Sequence, residues 1–169
     1  MKTRNLIGVD VGTTSIKAGI VNLAGELLDV VSEPSNLISR GEGHMEQDPD
    51  EILSAALKAI KGVLDQTGAD PRGILGIGFD GQMAGIMGID REFRPVTPYD
   101  SWLDTRCAHY VELMKEEAGD EVLVSTGCYP SINHGPKMLW WKKERPDVFK
   151  KIFKFIQPSA YVAGRLEGL

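Results

Sequence analysis

An α/β fold, a mixed sheet with flanking helices, is what this sequence predicts, and three observations predict it. Three strand-like segments open the chain with no helix between them. An amphipathic helix with clear start and stop signals follows, and then an almost wholly apolar strand. Meander, helix, strand is neither the strict βαβ alternation of a doubly wound fold nor a barrel, and it is compatible with a mixed sheet.

The opening strands are Leu6 to Asp10, Ser15 to Asn22 and Leu27 to Glu33, with turns at Gly12-Thr13-Thr14 and Leu23-Ala24-Gly25-Glu26. A polar loop passes through Arg40-Gly41-Glu42-Gly43. Asp48-Pro49-Asp50-Glu51 then combines an N-cap, a proline at the first helical position and an acid three residues past the cap, so a helix begins there. Ile52, Ala56, Ile60 and Val63, with Leu53, Leu57 and Leu64 alongside, form its apolar stripe, and Gly68 stops it. Ile74 to Asp80 and Gly85 to Asp90 read as two strands, the first central because it is so apolar. A helix from about Thr105 to Glu117 precedes an irregular stretch, Ser125 to Ser131. Helices at Pro136 to Glu144 and Asp147 to Lys151, a strand at Phe153 to Gln157 and a helix opened by Pro158-Ser159 complete the series. No repeat, low-complexity tract or linker interrupts it, so 1–169 reads as one domain. The final residues carry no capping element or polar tail, which reads as a cut.

Composition excludes some function classes. A net charge of −5 gives no positive field for sequence-independent binding to nucleic acid or an anionic membrane. No apolar run approaches the ~20 residues that span a bilayer, and Met1 to Leu6 pass into the first strand without a leader core, which points to the cytoplasm. Cys107 and Cys128 are too few for a disulfide framework and read as reduced packing residues.

The first chemical motif is Asp10-Val11-Gly12-Thr13-Thr14-Ser15-Ile16-Lys17, an acid ending one strand, a small polar turn, and a cation on the next strand. Phosphate chemistry can use each part. Gly12 lets backbone N–H groups approach an oxyanion, Thr13, Thr14 and Ser15 add hydroxyls, Lys17 offsets charge, and Asp10 can hold Mg²⁺ directly or through water. An ordinary β-hairpin turn uses the same composition, and on spacing alone the two readings are even. The segment is not a Walker A loop, since its sequence lacks the pattern and a strand follows instead of a helix.

Gly76-Ile77-Gly78-Phe79-Asp80-Gly81 matches a dinucleotide fingerprint literally, with Asp100 downstream, which would make the chain an oxidoreductase binding NAD. The fingerprint requires a helix to open among the glycines, whereas these lie inside an apolar run and Gln82 to Gly88 is poor in helix formers. The same region has a second use. Gln82 in Gly81-Gln82-Met83-Ala84-Gly85, with Trp102-Leu103-Asp104-Thr105-Arg106, supplies an aromatic face and bidentate hydrogen-bonding groups of the kind that hold a polyol or ketose. Taken alone, Trp102 would instead be core, and Asp104 and Arg106 a helix-start acid and a surface cation.

Together these motifs resemble the FGGY family of carbohydrate kinases, and xylulokinase-like members in particular. The hairpin resembles the first phosphate motif of actin-like ATPases, and the Gly-Gln-Met loop with the Trp-x-Asp-x-Arg segment resembles the family's sugar-binding pair. Glu46-Gln47-Asp48-Pro49, Thr126-Gly127, Pro136-Lys137-Met138-Leu139-Trp140-Trp141, Glu144-Arg145-Pro146 and Gln157-Pro158-Ser159-Ala160-Tyr161 continue the likeness along the chain. The resemblance implies an actin-like ATPase (ribonuclease H-like) domain and transfer of a phosphoryl group from ATP, with Mg²⁺, to a sugar hydroxyl.

It further implies that Asp10 serves catalysis by placing Mg²⁺ and that Gly12, Thr13, Thr14, Ser15 and Lys17 meet the nucleotide phosphates. Gln82, Met83, Ala84, Trp102, Asp104 and Arg106, with Asn133 and His134 from a later loop, would meet the sugar. Many xylulokinases carry His where this chain has Ala84, so either His134 supplies a contact or the substrate differs from xylulose. The general base, the rest of the first domain and a C-terminal domain would lie beyond Leu169, leaving this chain alone inactive. The expected partners are the sugar and that C-terminal domain, with a homodimer allowed. The alternative of another class is a non-catalytic sugar- or partner-binding module derived from half of a kinase.

Overall fold

The computed structural model describes residues 4–169. Met1 to Thr3, part of the leader reading above, lie outside the described residues. In chain order the elements are β1 (Asn5–Val11), β2 (Ser15–Asn22), β3 (Leu27–Pro34), β4 (Ile38–Gly41), β5 (His44–Gln47), α1 (Pro49–Thr67), a short 3₁₀ turn (Pro71–Gly73), β6 (Ile74–Gly81), β7 (Met87–Ile89) and β8 (Tyr99–Asp100). Then come α2 (Ala108–Thr126), α3 (His134–Glu144), α4 (Pro146–Phe149), β9 (Lys154–Ile156) and α5 (Pro158–Leu166). They divide into two compact units: Met1–Leu37, Asp48–Gln82 and Pro158–Leu169 form the first, Ile38–Gln47 and Met83–Gln157 the second. Neither is one continuous segment, so no linker marks them in the sequence.

The first unit holds a four-stranded mixed sheet in the order β3-β2-β1-β6. β1 pairs antiparallel with β2 and parallel with β6, which makes β6 an edge of this sheet although its apolar run reads as a central strand. Its Leu75 and Ile77 are correspondingly exposed. Strict alternation along β1 and β2 buries Ile7, Val9, Val11, Ile16, Ala18 and Ile20 on one face. That face packs on α1 and α5.

α1 starts and stops where local chemistry says it must. Asp48 accepts from the backbone N–H groups of Asp50 and Glu51, Pro49 follows, and Gly68 closes the helix at φ 63°. Its buried stripe differs from the sequence reading. Leu57 is exposed, Leu53 and Leu64 are only partly buried, and Ala55 and Ala59 join Ile52, Ala56, Ile60 and Val63 against the sheet. Small residues bring this helix close: a Cβ at Gly62 would stand 3.0 Å from Val31 Cγ1.

In the second unit β4, β5 and β8 form one small sheet and β7 pairs with β9. β4 and β5 form a hairpin across what the sequence reads as a polar loop, and β5 also pairs with Tyr99-Asp100, which is remote in the chain. β7 is shorter than the predicted Gly85 to Asp90. Within α2 the helical geometry ends after Glu117, where the sequence predicts it to, at Ala118 with φ −147°; a second helical stretch then runs from the buried Gly119 to Thr126. Cys107 is buried as expected, whereas Cys128 is exposed.

Candidate functional site

The hairpin from Asp10 to Lys17 forms where the sequence places it. Its turn joins β1 to β2, and Asp10 and Lys17 are cross-strand partners whose carboxylate oxygen and ammonium lie 3.9 Å apart, both side chains about half exposed. Gly12 is required by space: a Cβ there would stand 2.6 Å from the Ser15 carbonyl oxygen and 3.6 Å from Asp10 Oδ2. Beside the hairpin, the backbone N–H of Gln82 donates to the Val11 carbonyl at 3.0 Å. Its side chain accepts from Thr13 Oγ1 at 3.2 Å and lies 3.5 Å from the Gly12 carbonyl. Gln82, which the sequence reading grouped with the sugar loop, thus holds the β1–β2 turn within the first unit.

On the sheet face away from α1 and α5, Gly8, Gly19 and Gly78 present no side chains and leave an open hollow of about 470 Å³. Asp10, Lys17 and Asp80 stand at one end of it, Asp80 being the register partner of Asp10 on β6. The chemistry of the donor set suits a magnesium-bound phosphate: hard carboxylate oxygens, three hydroxyls on the turn and a lysine. β6 itself disposes of the dinucleotide reading, since Gly76, Gly78 and Gly81 all lie within the strand and no helix opens among them.

In the second unit the predicted sugar residues sort into two kinds. Met83 and Trp102 are exposed, at 71% and 48%. Ala84 takes a left-handed φ of 62°, rare for a residue with a side chain. Asn133 caps α3 with its backbone, and His134 is half-buried with Nε2 3.4 Å from Gln157 Nε2. These residues present surface.

Asp104 and Arg106 are the opposite kind. The Asp104 side chain is fully buried and that of Arg106 is 5% exposed, so Arg106 is not a surface cation. Arg106 Nε lies 2.9 Å from both Asp104 oxygens, and Nη2 reaches Glu46 Oε1 at 2.7 Å and Asp100 Oδ1 at 3.1 Å. Its guanidinium stacks 4.8 Å from the Trp140 ring centre. Asp104 Oδ2 accepts the Met45 backbone N–H at 2.8 Å, and Asp100 Oδ2 accepts the Trp141 indole N–H at 2.5 Å. Lys137, 1% exposed, donates to the Ser101 and Asp104 carbonyls at 3.0 and 2.6 Å.

Three carboxylates thus share a dry site with two cations. Burial pushes the Asp100 carboxyl up to about 7 despite the Arg106 charge and the indole hydrogen bond. Burial also opposes the Arg106 charge, but the hydrogen bonds it donates to Asp104 and the Asp100 charge outweigh it and hold the guanidinium above its ordinary value. For Lys137 burial wins, and its pKa is lowered.

Compared with known proteins, residues 5–169 match the FGGY family of carbohydrate kinases, N-terminal domain. The chain belongs to this family. It is 32% identical over 166 residues to the xylulose kinase of Staphylococcus xylosus, covering 96% of this chain and 34% of that protein. Among solved structures it is similar to the gluconate kinase of Lactobacillus acidophilus, with TM-score 0.87 and 26% identity over 96% of this chain and 33% of the other. A ligand-bound xylulose kinase of the same organism gives TM-score 0.86 and 26% identity, again over 96% and 33%. The chain spans about a third of the length of these relatives. Its actin-like ATPase fold is that of the FGGY kinases. Among the described residues no helix is long and apolar enough to cross a membrane.

Within this FGGY chain the sequence reading missed Asp100 and Lys137 as members of the Arg106 cluster. Asp100 figured only in the rejected dinucleotide match. For Lys137 a signal existed: a lone cation in the run Pro136 to Trp141, where a solvated lysine has no natural place.

Proposed function

We propose that this chain is the sugar-holding, phosphate-facing N-terminal portion of an ATP-dependent carbohydrate kinase that phosphorylates a sugar or polyol, with a xylulose-like ketose the leading substrate. The observation that carries the reading is the pairing of motif and shape in one FGGY chain: a hairpin whose tip gathers Asp10, three hydroxyls and Lys17, and a separate loop presenting Trp102. Phosphoryl transfer asks the protein mainly for positioning and charge neutralisation, and these side chains offer both.

In this reading Asp10 holds Mg²⁺, Gly12 to Ser15 and Lys17 receive the ATP phosphates, and Met83, Ala84, Trp102, Asn133 and His134 meet the sugar. Bound Mg-ATP supplies the transferable phosphoryl group. Gln82 acts on the phosphate side by holding the turn. No residue of this chain matches the family's general base, and the rest of the catalytic apparatus belongs to a further C-terminal domain in a cytoplasmic protein. The methyl group of Ala84 cannot hydrogen-bond a sugar hydroxyl, so the substrate panel must be broad.

Calorimetric titration of the chain with xylulose, xylitol, gluconate and Mg-ATP tests the binding roles, and a phosphorylation assay tests activity. Binding of at least one sugar without turnover is expected. Turnover at ordinary kinase rates by residues 1–169 alone would overturn the division of labour; failure of every sugar to bind would overturn the sugar-holding role.

A further inference from the structure

Ser101 to Asp104 form a tight turn whose two central residues, Trp102 and Leu103, point outward while Ser101 and Asp104 are fully buried. The turn closes with the Asp104 N–H donating to the Ser101 carbonyl at 3.0 Å and the Leu103 N–H to Ser101 Oγ at 3.3 Å. Its ends are tied to the β4–β5 hairpin, Ser101 N–H to the Met45 carbonyl at 3.0 Å and Thr105 N–H to the Gly43 carbonyl at 2.8 Å. Into the middle of this arrangement comes Lys137 from the first turn of α3. Its ammonium donates to the carbonyls at both ends of the turn, Ser101 and Asp104, and stands 3.9 Å from Asp104 Oδ1.

A methionine would fill the same volume without the cost of taking an ammonium out of water, and burial does lower the lysine's pKa. What the ammonium adds is a two-pronged hold on carbonyls three residues apart, and between those carbonyls sits the aromatic side chain offered to the sugar. We infer that Lys137 is a positioning residue for sugar capture: by bridging the Ser101 and Asp104 carbonyls it fixes the turn that presents Trp102. The inference rests on the sugar-holding reading of Trp102 and adds to it a residue that touches no sugar.

Fluorine NMR of the 5-fluorotryptophan-labelled chain separates the two claims. Its three tryptophans, Trp102, Trp140 and Trp141, give three resonances, and Trp102→Phe assigns the first. In Lys137→Met the Trp102 resonance is expected to move toward the position of a freely solvated indole while those of Trp140 and Trp141 stay dispersed. Affinity for whichever of xylulose, xylitol or gluconate the wild type binds is expected to fall about tenfold or more. Lys137→Gln, whose amide can still donate to both carbonyls, recovers part of each effect.

With a sugar-binding wild type, a shift of the Trp102 resonance without loss of affinity, or loss of affinity without the shift, overturns the inference. Collapse of all three resonances in both variants overturns it too, since Lys137 would then serve the whole unit. If the wild type binds no sugar, the functional reading fails by itself. The Trp102 resonance still decides whether Lys137 holds the turn: unmoved in Lys137→Met, it sinks the claim.

Discussion

Asp100 is where the chemistry of single residues is most exposed to test. Its carboxyl faces Arg106, Asp104, Lys137 and the Trp141 indole, with Glu46 sharing Nη2 of Arg106, and burial raises it from 3.8 to about 7. A folded-state value above the unfolded one means the native state binds the extra proton. That stabilisation is complete below about pH 4 and is lost as pH rises through about 7. In urea melts, wild type should therefore lose stability relative to Asp100→Asn across this window, by a few kcal/mol at most at about 1.4 kcal/mol per pKa unit. A flat difference would show that Arg106 keeps Asp100 ionised throughout. Gly12 gives a second test of this kind. Gly12→Ala drives a methyl group against the Ser15 carbonyl, so a loss of about 1–3 kcal/mol is expected in the same melts, together with weaker Mg-ATP binding. The hairpin's geometry was legible because its residues are neighbours in the chain. The Arg106 cluster was only half legible, since Glu46 and Asp100 reach Arg106, and Lys137 reaches Asp104, from three other segments, of which only the one holding Lys137 carried a local signal.

Elements follow the same division. α1 was read correctly at both ends because Asp48, Pro49 and Gly68 act within one turn of themselves. Asp48→Ala removes the acceptor for two N–H groups and is expected to cost about 1 kcal/mol in thermal or urea unfolding. An unchanged midpoint would mean that solvent satisfies those groups as well. β4 and β5 form a local hairpin that the sequence reading took for a loop, while the pairing of β5 with β8 joins segments remote in the chain and no local signal encodes it. β6 lies at the edge of the sheet formed by the described residues, and its Leu75 and Ile77 are exposed there. In α2 the predicted end at Glu117 falls where Ala118 leaves helical geometry, and the helical stretch from there to Thr126 is the part the sequence reading lacked.

For the whole molecule, the first unit is completed by a segment remote from its start. α5 places Tyr161 and Val162, both fully buried, in the layer against β1, β6 and α1, and the Tyr161 hydroxyl lies 3.3 Å from Asp50 Oδ1. Deleting Pro158–Leu169 is expected to cost the first unit its cooperative unfolding, read as lost amide-exchange protection in β1, β6 and α1. Protection unchanged from wild type would show that the sheet and α1 suffice.

The chain crosses between its two units at Leu37, Gln47, Gln82 and Gln157. During synthesis the strands of the first unit therefore emerge early and wait while the second unit is made. Their layer gains α5 only after residues 83–157 of the second unit have been made. A nascent chain that stalls within the second unit therefore leaves bare the face of β1, β6 and α1 that Tyr161 and Val162 cover, and chaperones and proteases can recognise it there.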